Sequence, residues 1–545
     1  MTLAETRSPR STRKHFIGLG VALFMVAFTL GVVPPMMPAI VREFNSSLGY
    51  IQSILVLSSL VTASFTPTTE NLSKVFGRKK VMQAGLGFYA IGLLAVATSP
   101  HMPAFAVAYA LVLGVAASPV INASWALMDY FYDDEAEKKA TAVLVLFSIA
   151  GGLSGALSGG LIAAELSWRI AFLPQFLMVL AVFLLIRSVY YPQQVTELPI
   201  DWVGGLIALM GLGLTLLGVS LAGQYGWWVP KQVFAVAGFV IPPFSLSIVP
   251  VLIASGILFL GIFAFWERRA ARLGRPSLIR AGLLRRKIFV LGVLIAILHS
   301  IVTAGVQFNL YQFIPPIMGL NTFQTALAVF PYTLASLITF LVVVFNPKMR
   351  NVSPRIIVQI GLALVALGIF LLYQAIAQPT TLRILPALAV MGVGSGLFFT
   401  SIATIPFSAA KPHEKAEASG IYNPLQNVGN SLGRGVFGTL LISIFSLQIV
   451  DGVTQNLGQT LDPAVRQTAI NKLEAVIQTF TVEDKQAFFQ KLPANVLTEM
   501  GRVLPASAIA GIRLSFLILL SLSLIALVLT LLLPKRYASP TLTKE

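Results

Sequence analysis

At 545 residues, with 56% apolar side chains, 11% charged ones and a mean hydropathy of +0.83, the chain lies far outside the composition of soluble proteins and reads as an integral membrane protein. Its formal net charge of +17 matches what cytoplasmic loops and anionic headgroups require, and no soluble domain accompanies that charge to take a nucleic-acid partner. The absence of cysteine excludes disulfides, thiolate chemistry and thiol-ligated metal.

Arg7, Arg10, Arg13 and Lys14 precede an apolar run from Phe16 to Val41. That run is too long for a signal-peptide core and no small-residue cleavage pattern follows, so it reads as span 1 with the N-terminus cytoplasmic. Runs of spanning length follow at about 50–72, 80–98, 103–128, 140–163, 169–189, 202–222 and 244–266. After a polar interruption they resume at about 288–313, 323–346, 355–376, 382–406, 417–446 and 512–533, for about fourteen spans in all. The interruption, from Trp266 to Lys287, sets Arg268, Arg269, Arg272, Arg275, Arg280, Arg285, Arg286 and Lys287 against the single acid Glu267. Excess Lys and Arg near span ends marks the cytoplasmic side. An even number of spans returns the C-terminus to that side, and Lys74, Arg78, Lys79, Lys80, Lys138, Lys139, Lys348, Arg350, Arg355, Lys535 and Arg536 all sort with it. The opposite short loops hold little more than Arg42, Arg169, Lys231 and Arg383.

One external loop, 447–511, is long and carries helix signals. Asp462 before Pro463 is an N-cap with proline at the first helical position, and Ile470, Leu473, Ile477 and Phe480 then recur at helical spacing. Thr481 with Asp484 opens a second short helix and Pro493 a third. Such a loop caps the outer mouth, lies on the headgroups or simply connects.

Polar side chains facing lipid are costly, so polar stripes inside spans mark a bundle interior or a water-filled cavity. Span 13 has Asn423, Gln426, Asn427, Asn430 and Arg434 on one helical face, and span 9 has His299, Thr303, Gln307 and Tyr311. Span 4 has Ser118, Asn122, Trp125 and Asp129, and span 2 has Ser58, Thr62, Thr66 and Glu70. Two stripes fall in each half, as a midplane transport site requires, and the span 13 and span 9 residues with Asn122 and Trp125 are the candidate substrate-binding set. Helix packing and bonding to the preceding turn is the alternative for Ser58, Thr62 and Ser118. His299 is the ionisable side chain near the midplane that can change charge at physiological pH, or else a satisfied interior histidine. Arg434 carries a cost of about 2.5–3.5 kcal/mol at the bilayer centre. Glu70 and Asp129 sit at cytoplasmic span ends, which leaves carbonyls, water or an anionic solute group to compensate it.

Gly151, Gly155 and Gly159, with Gly160, line one face of span 5 and allow another helix to approach closely. Glu70, Lys74, Gly77, Arg78, Lys79 and Asp129 form a candidate gate of charges that break and re-form as helices rock, with topological anchoring as the alternative. With only His15, His101, His299 and His413, no close pairing of a histidine with a carboxylate and no GxxxxGK loop, neither an enzyme, a metal site nor a cofactor is expected.

Several motifs carry a resemblance. Glu417-Ala418-Ser419-Gly420 with Asn423, Gln426, Gly429, Ser431 and Gly433 opens span 13, and Asp201-Trp202-Val203-Gly204 opens span 7. Phe265-Trp266-Glu267 with Pro276, Leu278 and Phe289 flanks the basic stretch, and Trp168-Arg169 with Phe172 precedes span 6. Together they resemble the fourteen-span drug:proton antiporter branch of the major facilitator superfamily over nearly the whole length.

The resemblance implies an all-α membrane fold of two six-helix bundles, 16–189 and 288–533, with spans 7 and 8 and the basic loop in the linker 190–287 and cytoplasmic ends at 1–15 and 534–545. It implies a secondary transporter that exports an amphipathic or lipophilic organic solute by alternating access, coupled to a proton or ion, in a bacterial cytoplasmic membrane. The departures fall on the coupling machinery. Lys74 stands where the family's loop acid is expected, Thr29 and Pro34 where span 1 has Asp and Asn, Ala110 where span 4 has Arg, and Ala156 where span 5 has Pro; Gly114 and Pro119 are kept. A facilitator or exchanger of an anionic or lipid-like solute without proton coupling is therefore the alternative, and a non-transporting receptor of the same fold a third.

Overall fold

The computed structural model describes residues 9–131, 134–187, 202–231, 235–236, 239–240, 242, 246–273, 281–346, 348–349, 352–411 and 414–534. Arg7, Asp201, Arg275, Pro276, Leu278, Arg280, Arg350, His413, Lys535 and Arg536 lie outside the described residues, as do the side chains of Arg10, Arg13, Glu70, Lys74, Asp129, Lys138, Lys139, Trp202, Glu417 and Ser419. Nearly everything described is helix. Two two-residue strands, Ala235–Val236 and Phe239–Val240, pair antiparallel in the connection between spans 7 and 8.

Thirteen helices among the described residues are long and apolar enough to cross a membrane. The seventh expected span falls on the helix Trp202–Tyr225, whose 24 residues cover about 36 Å although its apolar stretch is only Val203–Val219. Sharp turns separate neighbours where the sequence supplies the residue they need. Gly77, at a φ of 88° that favours glycine, breaks Leu48–Phe76 from Arg78–Ala97. Gly319, at 65°, ends Lys287–Met318, and a capping box of Asn321 with Gln324 starts Thr322–Phe345.

The largest departure from the sequence expectation is at 447–511, which is not a loop. Residues 447–456 continue span 13 in one helix, Lys415–Asn456, whose 42 residues span about 63 Å, roughly twice the hydrocarbon thickness. The two short helices form where expected, Pro463–Thr479 capped by Asp462 and Val482–Gln490 capped by Thr481. The helix opened by Pro493 is not short, because Ala494–Leu529 runs on into span 14. Tertiary packing holds this cap together. Ile449 and Val453 bury against Leu473, Ile477, Val496, Met500 and Val503, and the Arg466 guanidinium forks onto Asp451 with both bonds at 2.6 Å.

Buried apolar residues from Leu19 to Ile186 make one core, and those from Leu283 to Leu533 make two more. In the first, the Trp168 ring is enclosed by Phe44, Phe105 and Phe172, while Arg169 stacks 4.4 Å over it and bonds Glu43 and the Ser99 carbonyl. The Trp168-Arg169-Phe172 motif is thus a packing staple.

Spans 1 and 5 touch backbone to backbone. A methyl group at Gly151, Gly155 or Gly159 would run into the carbonyl oxygen of Phe24, Phe28 or Val32, and Gly160 is buried beside them. In the second half, Gly429 and Gly433 of span 13 meet the carbonyls of Ile297 and Ile301 in span 9 in the same way. The first and fifth helices of each bundle therefore share one kind of crossing. Gly155→Ala should force spans 1 and 5 apart and destabilise the protein by about 1–3 kcal/mol. Gly87→Ala, whose added methyl meets nothing, should leave thermal unfolding in detergent unchanged.

Candidate transport cavity

A cavity of about 440 Å³ lies between the two bundles. Its wall comes from spans 1, 2 and 5 on one side, with Leu30, Pro34, Leu55, Leu153 and Ala156, and from spans 9, 10 and 13 on the other, with Thr303, Gln307, Tyr311, Phe330, Asn430 and Arg434; Phe399 of span 12 closes one corner. It extends to the end of the bundle that carries the cap, because Met37 and Gly49 also line it. A largely apolar wall with a few placed polar groups is what a small-molecule site needs.

The structure divides the expected site residues into three groups. Thr303, Gln307, Tyr311, Asn430 and Arg434 are on the wall. Arg434 is half-buried and is the one charged side chain among the described wall residues; it makes no hydrogen bond or ion pair among them, and Tyr109 of span 4 lies within its electrostatic reach. Asn423, Gln426, Asn427 and His299 are off the wall. Gln426 donates to the Tyr422 hydroxyl at 2.8 Å, and Asn423 has contacts of its own. His299 is 1% exposed, stacks on Phe398 at 3.8 Å behind the wall residue Phe399, and neither ring nitrogen finds a partner among the described residues.

The stripes of spans 2 and 4 form the third group. Thr62 donates to the Gly114 carbonyl at 2.9 Å, Thr66 and Thr69 meet the Ser118 hydroxyl at 3.4 and 3.0 Å, and Asn122 donates to Ser118 at 3.2 Å. Trp125 packs on the first core. These residues join spans 2 and 4 inside the first bundle, away from the cavity.

Sequence reasoning missed the network around Thr29. Its hydroxyl donates to the Met25 carbonyl at 3.0 Å, meets Gln175 Oε1 and accepts from the Tyr89 hydroxyl at 2.6 Å, while Tyr109 donates to the Thr29 carbonyl at 3.4 Å. All five residues are buried, so the position at which the resemblance expects an acid holds a neutral, closed network. Gln175, alone in an apolar span, was the available signal. The other departures Pro34 and Ala156 are on the cavity wall.

At the basic end, Arg78 donates to the Ala126 carbonyl at 3.1 Å and Lys79 to the Arg187 carbonyl at 2.9 Å, both near the C-terminal ends of helices, where cations are favourable. Lys80 is exposed. The second bundle has a clamp that the sequence reading did not find. Arg286 forks onto Glu414 at 2.6 and 2.9 Å and also reaches the Ala409 carbonyl. The signal was an acid in the short connection between spans 12 and 13.

At the opposite end, the cap crosses between halves. Lys231, from the span 7 to span 8 connection, pairs with Glu474 at 2.8 Å and bonds Gln478 at 2.9 Å, with the two ionic side chains 15% and 9% exposed. Trp227 donates to the wall residue Thr439 at 3.1 Å, and the Glu483 amide donates to Asn45 at 3.3 Å. The helix Pro463–Thr479 also lies over Gly49, where a side chain would strike the Gln478 carbonyl.

The protein is thus helical, with one buried core in its first half and two in its second, matched first-to-fifth helix crossings and a cavity between the halves. The Major Facilitator Superfamily model matches residues 19–433. The chain belongs to the Major Facilitator Superfamily. This superfamily transporter is similar to the multidrug resistance protein Stp of Mycobacterium tuberculosis (strain CDC 1551 / Oshkosh), 23% identical over 79% of this chain and 76% of that one. It is also similar to the cephamycin export protein CmcT of Amycolatopsis lactamdurans, 26% identical over 77% and 83% of the two chains. The multidrug efflux pump LfrA of Mycolicibacterium smegmatis is 24% identical over 94% of this chain and 98% of its own. Among solved structures, a bacterial homologue of the human lysosomal transporter Spinster, inward-facing and unoccupied, superposes with a TM-score of 0.56 at 12% identity, over 98% of this chain and 100% of that one. A D-xylose-proton symporter does so at 0.54 and 14%, over 87% and 98%.

Two outcomes test the ends of this superfamily transporter. Arg78→Ala should impair transport more than Lys80→Ala at equal protein level. In this naturally Cys-free chain, Asn45→Cys with Glu483→Cys should cross-link on oxidation and stop transport until reduced. Full transport by the cross-linked protein would separate the cap from gating.

Proposed function

We propose that this superfamily member exports amphipathic or lipophilic organic solutes by alternating access, binding them in the cavity between the bundles. The observation that carries the reading is the wall itself, built from the first, second and fifth helices of each bundle. Rocking the bundles about such a wall exposes one site to either side in turn. Multidrug resistance by Stp, cephamycin export by CmcT and multidrug efflux by LfrA support the direction and the solute class.

The chain crosses a bacterial cytoplasmic membrane with fourteen spans, the helix Trp202–Tyr225 being the seventh; its basic 266–287 stretch and both termini are cytoplasmic and its cap is external. Gly77, Arg78 and Lys79 with Arg286 and Glu414 hold the cytoplasmic end, and Lys231 with Glu474 the external one. A second reading has a specific support. The described wall carries no carboxylate and Thr29 is held in a neutral network, so solute exchange or facilitated flux without a proton carried in the cavity fits the same geometry.

Purified protein in liposomes should drive saturable flux of a fluorescent amphipathic dye, and a proton uncoupler should abolish concentrative flux under the first reading and spare exchange under the second. No protein-dependent flux of any amphipathic solute would leave the receptor alternative standing. Membrane-impermeant thiol reagent in intact cells should label Gln459→Cys and miss Arg285→Cys, both exposed positions, and the opposite pattern would invert the orientation.

A further inference from the structure

We infer that the cavity selects solutes that carry an anionic head, a carboxylate above all, on an apolar body, and that Arg434 is the residue that imposes the choice. This rests on the reading of the cavity as the solute site.

The first support is the sign of the fixed charge. Arg434 faces the cavity, no other described wall residue carries a charge at neutral pH, and no described residue bonds its guanidinium. A cation held in a largely apolar enclosure without a counter-charge favours whatever brings a negative charge to it, and repels a second cation.

The second support is independent of Arg434. The one place in the first bundle where the resemblance leads one to expect an acid near this region is Thr29, and its side chain is closed into hydrogen bonds with neutral Gln175 and Tyr89. Of the described acids at the ends of the bundle, Glu414 is engaged by Arg286, Glu474 by Lys231 and Glu43 by Arg169. Among the described residues, neither half supplies the negative wall that a cationic solute would need.

The third support is shape. The backbone of span 13 lies against Ile301 and Ala304 at Gly433 and against Phe308 at Gly438, which sets Arg434 about level with Thr303 and one turn from Gln307 on the neighbouring helix. Asn430 stands one turn away on the same face as Arg434. A planar guanidinium with amide donors beside it matches a carboxylate, whose two oxygens it can take in parallel. The facing wall of Leu30, Met37, Leu55 and Leu153 is apolar and suits the body of an amphiphile.

A matched series tests the proposal: pyrenebutyrate, pyrenebutanol and pyrenebutyl-trimethylammonium share one apolar body and differ in head charge. Binding to the purified full-length protein is measured by fluorescence titration at neutral pH. The butyrate should bind at least about tenfold tighter than the ammonium, the sense a single fixed cation dictates. Arg434→Gln should bring the three affinities together, and Arg434→Lys should keep the order. Asn430→Asp, which retains the arginine and sets a carboxylate one turn from it, should weaken butyrate and strengthen the ammonium, and it carries the test if Arg434→Gln does not fold. An ammonium bound as tightly as the butyrate by the wild type, or a butyrate preference that survives both Arg434→Gln and Asn430→Asp, would overturn the proposal. Equal saturable binding of all three would overturn charge selection alone and leave the cavity as the solute site. Saturable binding of none would overturn the cavity as the solute site and this proposal with it.

Discussion

Everything in this fold depends on helix backbones that touch with no side chain between them. In a bilayer, apolar side chains gain little by leaving lipid for one another, so helices associate where small residues allow dense contact. Gly151, Gly155 and Gly159 let span 5 rest on carbonyl groups of span 1, and Gly429 and Gly433 let span 13 rest on span 9. These pairs are stiff because a close-packed glycine face has no rotamer through which to yield. Stiffness inside each half leaves the interface between halves as the place where space remains, and the cavity is there. Its wall helices are those that the glycine crossings position.

The ends of the bundle are held by a different physics. Arg78 and Lys79 bond carbonyls within the first half, whereas Arg286 holds Glu414 within the second. Each half thus closes its own basic end with cations on helix termini or on one acid. The cap end is held to the first half by the Asn45 contact with Glu483, and to the linker by the pair of Glu474 with Lys231. The cap end thus has a described bond from one half to the other, which a two-state transporter can use, since the bonds between halves are the ones a rocking motion breaks.

Much of this was legible in the sequence because it is periodic. Long apolar runs gave the helices, glycines four apart gave a close crossing of span 5, and the polar stripes of spans 9 and 13 included Thr303, Gln307, Tyr311, Asn430 and Arg434 of the wall along with His299, Asn423, Gln426 and Asn427, which are off it. Periodicity alone cannot tell which neighbour a polar face meets. Thr62, Ser118 and Asn122 obey the same spacing but bond one another inside the first bundle. The Thr29 network and the Arg286 clamp were not legible, because each unites single residues far apart in the chain with no repeat to announce them. The cap was half legible. Its capping residues marked the two short helices, while charged residues broke up the apolar stripe that carries span 13 and the last helix beyond the membrane.

That extension makes span 13 a lever. A continuous helix of 42 residues is a rod of about 63 Å, and a tilt of about 10° around its middle would carry each end by ~5 Å. Arg434 sits close to the middle of that rod and the far arm ends among the cap helices, so an angular change that hardly moves the solute-facing residue becomes a displacement of atomic size at the cap. A spin label or fluorophore on that far arm would report the tilt of the helix that carries Arg434 without ever entering the membrane.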